Sequence, residues 1–297
     1  MSRRLVGRLW VLGAALLWST SGLFAKAPLW DDWPTEIRGP LFGFWRAFFA
    51  FLVLVPMIRR PRYSGYLLPL TISFASMNIL YLVALTRTTA ADAIWLQATA
   101  PWWVFFFSLF LLREAVVRRD LIPLVFGCLG VGTILFFEVR GQAQTGVFCG
   151  LGSGVTYALV VMFLRQLRGE DPAWLVALNH AVAAVVLLPW VIYLDRWPSP
   201  GQLLVLAGFG ALQMGIPYTF LIRGLRSITS QEATAIGLVE PVLMPVWVFL
   251  VWPEKNAWST IVGASLILAG LVLRYVVWEL LVDRSGKRPQ QGRQISP

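Results

Sequence analysis

The chain has 297 residues, of which 58% are hydrophobic and 13% charged, with a formal net charge of +10 and a mean hydropathy of +0.69. Soluble domains carry roughly a quarter charged residues, so this composition excludes a soluble globular protein and predicts an all-α integral membrane protein. A strongly basic soluble chain would suggest nucleic acid, but there is no basic stripe with interleaved aromatics, and no nucleic-acid partner is expected.

A helix crosses the hydrocarbon core with about 20 mostly apolar residues. Ten segments meet that requirement: about 8–26, 40–58, 66–86, 90–112, 121–138, 145–164, 173–194, 202–222, 231–252 and 257–279. The first begins behind Arg8 and ends in Ala25-Lys26-Ala27, which also has the form of a cleavable signal peptide. Many spans follow, and the stretch Trp18–Lys26 has a counterpart in the second half, so a retained helix is predicted. The second segment carries Arg46, the third Asn78 and Tyr81, and the fourth Asp92, Trp95, Gln97, Pro101 and Trp102. The sixth has Gly146, Gly150, Gly154 and Ala158 four residues apart, a stripe that lets a neighbouring helix approach closely. His180 lies in the seventh segment, Tyr218 in the eighth, and Glu240 with Pro241 in the ninth. Separators are short and rich in Arg, Pro, Gly and Asp, leaving no room for a soluble domain. The polar tail 283–297 is predicted to be disordered. Cys128 and Cys149 have no ligand spacing, so neither a disulfide framework, a metal site nor a cofactor is expected.

Counting Lys and Arg on alternate sides places 17 on one face, among them Arg59, Arg60, Arg62, Arg223 and Arg226. Six fall on the other: Lys26, Arg38, Arg87, Arg140, Arg196 and Lys255. Cytoplasmic loops hold the excess, which predicts an even number of crossings with both termini in the cytoplasm.

The chain is doubled. A shift of 140 residues moves Asp92 onto Glu232, Ala93 onto Ala233, Pro101 onto Pro241, Glu114 onto Glu254 and Gly130 onto Gly270. Residues 1–140 and 141–282 thus form two copies of five spans each. Five is odd, so the second copy enters from the opposite face and the repeats are inverted, the layout that lets two halves rock about a midplane site.

Several residues are candidates for that site. Proline in lipid frees backbone groups that must face protein or a water-filled cavity, so Pro101 and Pro241 are predicted to line the pathway or act as hinges, a harmless kink being the alternative. Glu240, deep in its span, is costly there by about 2.5–3.5 kcal/mol unless paired or protonated, and it either meets substrate or bonds beside Pro241. Arg46 is a candidate to attract a carboxylate or to brace carbonyls. His180, read against Pro56 and Pro189, occupies nearly the equivalent place in the second half. Trp18 corresponds to Tyr157 at a shift of 139. Together with Asn78, Tyr81, Trp95, Gln97, Trp102 and Tyr218 they are predicted to line a cavity for a small solute, apolar at one end and polar or zwitterionic at the other. Among 15 tryptophans many belong to interfacial belts, where Trp30, Trp33, Trp197 and Trp252 are expected. Asp92 and Glu232 are expected to cap helices, and Glu114 and Glu254 to pair at the boundary with Arg113, Arg118 or Lys255.

Trp18-Ser-Thr-Ser-Gly-Leu-Phe-Ala-Lys26, Arg46 in Trp-Arg-Ala, Tyr81–Leu85, Pro101 with Glu114, and Leu238-Val-Glu-Pro-Val242 leading to Pro253-Glu254 resemble the EamA family of the drug/metabolite transporter superfamily. The resemblance covers nearly the whole chain and extends to the YddG-like exporters of aromatic amino acids. It implies ten helices in two inverted halves around a central cavity, and export of small metabolites across a bacterial inner membrane. Pro123 departs from the family's glycine, which the second copy keeps as Gly263.

The competing class is an intramembrane enzyme. Ser153 and His180 invite a serine–histidine dyad, but the Gly-x-Ser-Gly context requires glycine at 151, where Leu151 stands. A channel-like facilitator is the nearer rival. The sequence predicts a secondary transporter, expected to act as a monomer with a dimer as the alternative, whose partners are the lipid bilayer and a small-molecule substrate.

Overall fold

The computed structural model describes residues 3–110, 121–138, 144–228, 230–237, 239–252, 258–273 and 277. The described residues form helices and no strand. In the first half these are α1 (Arg3–Trp18), α2 (Ser21–Ala25), α3 (Thr35–Leu54), α4 (Leu67–Arg87), α5 (Ala90–Gln97), α6 (Ala100–Phe110) and α7 (Leu121–Glu138). In the second they are α8 (Gln144–Gln166), α9 (Pro172–Leu194), α10 (Pro200–Gly210), α11 (Ile216–Leu225), α12 (Ser230–Gly237), α13 (Val239–Val251) and α14 (Trp258–Val272). Among the described residues six helical stretches, beginning at Arg3, Thr35, Leu67, Gln144, Pro172 and Pro200, are long and apolar enough to cross a membrane.

The polarity of the molecule is the reverse of a soluble protein's. Ile72, Phe136, Val185, Tyr193 and Phe249 are more than half exposed, whereas Arg46, Asn78, Gln97 and Gln213 are buried. Hydrocarbon accepts an apolar exterior and rejects unpaired polar groups, so the polar side chains turn inward.

Helix ends follow local chemistry. α9 starts with Pro172 in its first turn and Asp171 as N-cap, whose carboxylate accepts the Ala173 N–H at 3.1 Å. α10 starts with a capping box between Ser199 and Gln202 behind Pro200. A shift of 140 carries α5 onto α12. Each precedes a helix with proline in its first turn, Pro101 in α6 and Pro241 in α13. Proline lacks an N–H and is tolerated only where no i−4 partner is needed, so the first break falls at Ala98-Thr99, directly ahead of Pro101. Pro123 likewise sits in the first turn of α7.

Packing between the halves is reciprocal: α1 lies against α11, α4 against α8, α3 against α9 and α7 against α14. Exchanging α1 with α8 and α4 with α10–α11 converts the first pair into the second, while α3·α9 and α7·α14 map onto themselves. That is the contact pattern of two copies related by a two-fold axis. The glycine stripe of α8 faces α4 and α5. A Cβ on Gly150 would come within 2.9 Å of the Leu96 Cβ, and one on Gly154 within 3.0 Å of the Leu96 carbonyl and 3.2 Å of the Gln97 carbonyl. Asp92 accepts from the Thr260 hydroxyl at 2.6 Å, tying α5 to α14, while Glu232 pairs with Arg8 and ties α12 to α1.

Trp30 and Trp33, expected in a lipid-facing belt, are buried against Phe42, with ring centroids 4.9 and 5.9 Å apart. The Trp30 indole N–H donates to the Phe24 carbonyl, and this internal partner makes a packed position better than an interfacial one. Trp197 is exposed, and the Trp252 indole N–H donates to the Leu23 carbonyl at 3.0 Å. The expected pairs of Glu114 and Glu254 with Arg113, Arg118 or Lys255, and the tail 283–297, lie outside the described residues.

Two outcomes are expected. Gly154→Val is expected to lower stability by about 1–3 kcal/mol through overpacking against the break, whereas Gly65→Ala, which meets nothing within 4 Å, is expected to be neutral; thermal unfolding in detergent measures both. The second concerns Asp171, outside the spans. Partial burial pushes its carboxyl up, but the N–H groups of Arg59, Arg60, Ala173 and Trp174 outweigh that and hold it below the usual carboxylate range. A depressed pKa contributes stability above the ordinary carboxylate range that is lost as pH falls through the lower folded value. Wild type is therefore expected to lose more stability than Asp171→Asn between about pH 5 and pH 3, measured as the shift of Tm with pH.

Candidate functional site

Arg46 lies midway along α3 with 2% of its surface exposed. Its Nη1 donates to Gln213 Oε1 at 3.1 Å, its Nη2 donates to Asn78 Oδ1, and the guanidinium carbon sits 5.0 Å from the Phe209 ring centroid. The two amides are themselves anchored: Asn78 Nδ2 donates to the Phe74 carbonyl at 3.0 Å, and Gln213 Nε2 to the Trp18 carbonyl at 3.5 Å. One arginine thus joins α3, α4, α1 and the segment between α10 and α11. That segment, Ala211–Gly215, is a single turn of π-helix. π-Bulges are rare and cluster at functional positions, and this one carries Gln213 to the guanidinium.

Beside this network, the Tyr81 and Ser21 hydroxyls share a hydrogen bond at 3.0 Å, and both approach Met244 Sδ, at 3.5 and 3.1 Å. The Tyr218 hydroxyl donates to Met77 Sδ at 3.5 Å, and its ring meets Trp18 edge-on with centroids 4.9 Å apart.

These groups surround a cavity of about 30 Å³ walled by Trp18, Arg46, Met77, Tyr81, Gln97, Tyr157, Gln213, Met214, Tyr218 and Glu240. A second cavity, also about 30 Å³, shares Gln97, Tyr157 and Glu240 with the first and is closed by Pro101 and Pro241. The two prolines and the acid between them therefore face one space at the centre of the bundle. Glu240 makes no hydrogen bond and no ion pair among the described residues, and the Trp18 indole N–H has no partner. Room for about one water in each cavity means that the chamber is closed, since sites for small ligands measure about 300–1,000 Å³.

Other predicted residues stand back from the walls. Asn78 supports Arg46 from behind. Trp95 is buried in a hydrophobic core built from both halves. Trp102 is buried too, its indole resting where Gly127 has no side chain. His180 packs edge-on to Phe74 at 4.9 Å, with Tyr218 at 6.3 Å, and neither ring nitrogen has a partner among the described residues. Ser153 donates to the Gly150 carbonyl at 2.6 Å and not to His180, so the two do not form a dyad. Among the described residues no cluster of His, Cys, Asp or Glu fits a metal ion.

Met77, Gln213 and Met214 are wall residues that sequence reasoning missed. A signal existed: Met77 and Tyr81 recur as Met214 and Tyr218 at a shift of 137, and all four line the cavity.

Comparison with known proteins adds the following. The model of the EamA-like transporter family matches residues 5–136 and again 144–276. An uncharacterized transporter of Archaeoglobus fulgidus is 26% identical over 235 residues, 78% of this chain and 85% of that protein. A crystal structure superimposes with a TM-score of 0.67 at 16% identity, over 91% of this chain and 98% of the other; that likeness shows the fold.

Hydrogen bonds to a charged group contribute about 1.5–3 kcal/mol, so Asn78→Leu and Gln213→Leu are each expected to destabilise the protein by about that much. Arg46→Lys keeps the charge but cannot hold two amides in a planar fork, and is expected to lose at least as much as either single change. Thermal unfolding in detergent, with the double variant Asn78→Leu/Gln213→Leu completing the comparison, checks the coupling through Arg46.

Proposed function

The chain belongs to the EamA-like transporter family and is a multi-span membrane transporter, and from that premise we propose that it exports small amphiphilic metabolites, amino acids with aromatic side chains among them, by alternating access at the central chamber. One observation carries this reading: Arg46 and Glu240, a guanidinium and a carboxyl group from opposite halves, wall the same cavity without pairing to each other, among Trp18, Tyr81, Tyr157, Tyr218 and two methionines. A zwitterion matches that lining. Its carboxylate replaces an amide on the Arg46 fork, its ammonium meets Glu240, and its apolar end packs on aromatic faces and polarizable sulfur.

The chamber has to open to admit such a solute, and the reciprocal packing of the halves supplies a way. A two-fold-related pair of bundles has two equivalent ways to tilt, one toward each face. The helix break at Ala98-Thr99 beside Pro101 gives the first half a hinge where few backbone bonds must be broken, and Pro241 stands at the matching place in the second half. The proposed frame has ten spans in two inverted repeats, bounded near residues 140 and 282, with both termini in the cytoplasm of a bacterial cell. The chain acts as a monomer in the inner membrane.

Counterflow tests the proposal. Protein in liposomes loaded with unlabelled phenylalanine is expected to accumulate labelled phenylalanine transiently. Glu240→Gln and Trp18→Ala are each expected to slow this at least about tenfold, the size of one charged or aromatic contact. Flux that rises linearly with concentration and shows no counterflow would indicate a channel. Failure across a panel of amino acids would sink the substrate class.

A further inference from the structure

A further cavity lies away from the chamber, where the end of α3, the start of α9 and the end of α11 meet. It measures about 680 Å³, and Arg59, Arg60, Arg62, Arg223 and Arg226 line it against Glu170 and Asp171, an excess of three positive charges. The chain itself does little to neutralise them. The Asp171 carboxylate is engaged by the backbone N–H groups of Arg59 and Arg60, at 2.6 and 3.1 Å, and by Ala173. Arg226 donates to the Arg168 and Glu170 carbonyls, at 3.1 and 2.9 Å, and Arg223 lies 5.2 Å over the Trp10 ring. The side chains of Arg59, Arg60 and Arg62 have no hydrogen bond or ion pair among the described residues and are exposed. Guanidiniums crowded around one hollow repel each other unless an anion enters it.

The rim identifies the anion. Met57 in the lining is 46% exposed, and Val55, Tyr63 and Tyr66, which flank the lining residues in the chain, are 42%, 90% and 50% exposed. The Tyr63 ring meets Trp174 edge-on at 6.0 Å, and the Trp174 indole N–H donates to the Arg62 carbonyl at 2.9 Å. Tyrosine and tryptophan mark headgroup depth. A cationic floor with an apolar and aromatic lip suits a molecule with a phosphate at one end and acyl chains at the other, whereas a freely diffusing anion gains nothing from the lip. Basic pockets between helices on the cytoplasmic side hold anionic headgroups. We propose that this cleft is a binding site for the headgroup phosphate of an anionic phospholipid of the cytoplasmic leaflet, held by Arg59, Arg60, Arg62 and Arg223, which braces the junction of α3, α9 and α11. The leaflet, and only the leaflet, rests on the proposed orientation; binding itself does not depend on transport.

Thermal unfolding of the purified full chain in neutral detergent, titrated separately with phosphatidylglycerol, phosphatidylcholine and inorganic phosphate, tests this. Phosphatidylglycerol is expected to raise Tm in a saturable way, and the other two are not. In the triple variant Arg59→Gln/Arg60→Gln/Arg62→Gln the apparent affinity for phosphatidylglycerol is expected to fall at least about tenfold, the size of one charge-assisted hydrogen bond. Arg196→Gln, assigned to the opposite face, is expected to match wild type. Arg223→Gln, on a different helix, gives the same reading if the triple variant fails to fold. Equal stabilisation by phosphatidylcholine, a full response to inorganic phosphate, or wild-type affinity in Arg223→Gln or in a folded triple variant would each overturn the proposal.

Discussion

A guanidinium that never loses its charge is locked in the middle of a bundle whose outside is hydrocarbon, and much of the architecture follows from having to satisfy it. An arginine at that depth costs about 2.5–3.5 kcal/mol on insertion, more than a marginally stable fold concedes without compensation. Its acceptors must come from other helices, because the carbonyls of α3 are already used within the helix. Asn78 fixes the rotation of α4 about its axis, and Gln213 does the same for the segment between α10 and α11. The π turn is intelligible on these terms, since it shifts the phase of that segment and brings the amide within reach. Gly210 completes the arrangement. A Cβ there would fall within 2.6 Å of the Arg46 carbonyl, so the close approach of this segment to α3 requires glycine.

Duplication supplies the walls of the chamber in pairs, whereas the charges enter singly. Met77 and Tyr81 are matched by Met214 and Tyr218, and Trp18 by Tyr157, so each half contributes the same kind of apolar, weakly polar surface. Glu240 falls on Ala100 at the shift of 140, and Arg46 on Asn179 at the shift of 133 that joins Pro56 to Pro189. The acid therefore belongs to the second half alone and the arginine to the first. A chamber with symmetric walls and an asymmetric pair of charges has a polarity of its own, so under the proposed function it would orient a zwitterion instead of merely enclosing it.

How much of this was legible follows from the same solvent. The apolar segments could be located because hydrocarbon demands long hydrophobic stretches, and the break before Pro101 because proline cannot donate a hydrogen bond. Which side of a helix faces the chamber is harder to read. In lipid the inner and outer faces are both apolar, so the contrast that marks the buried side of a soluble helix nearly vanishes. Trp95 and Trp102 were reasonable candidates by type, yet they point into packed protein. The Met–Tyr pairs escaped a search at a shift of 140 because the connecting segments differ in length and those helices align at 137. Gln213 depended on a π turn, which no pattern based on 3.6 residues anticipates. The positive cleft is different again: its arginines entered the count of cytoplasmic charge, but their convergence from the connection after α3 and from the end of α11 is a property of the fold.

The closed chamber has a thermodynamic consequence of its own. Among the described residues Trp18 Nε1, Trp102 Nε1, Asn179 Oδ1 and both nitrogens of His180 are buried without a hydrogen-bond partner, and an unsatisfied buried group costs about 1–3 kcal/mol. Opposing this are the edge-on contacts of Trp18 with Tyr218 and of Phe74 with His180 and Tyr218, each contributing about 0.5–1.5 kcal/mol beyond area burial. Opening the bundle would hydrate those polar groups that come to face the pathway and separate the ring contacts, so the first contribution favours opening and the second opposes it. A carrier needs that balance, because a solute can shift a conformational equilibrium only by its differential affinity for the two states, typically a few kcal/mol. Under the proposed function, polar atoms left unsatisfied around the chamber reduce the differential affinity that a small zwitterion must supply to open it.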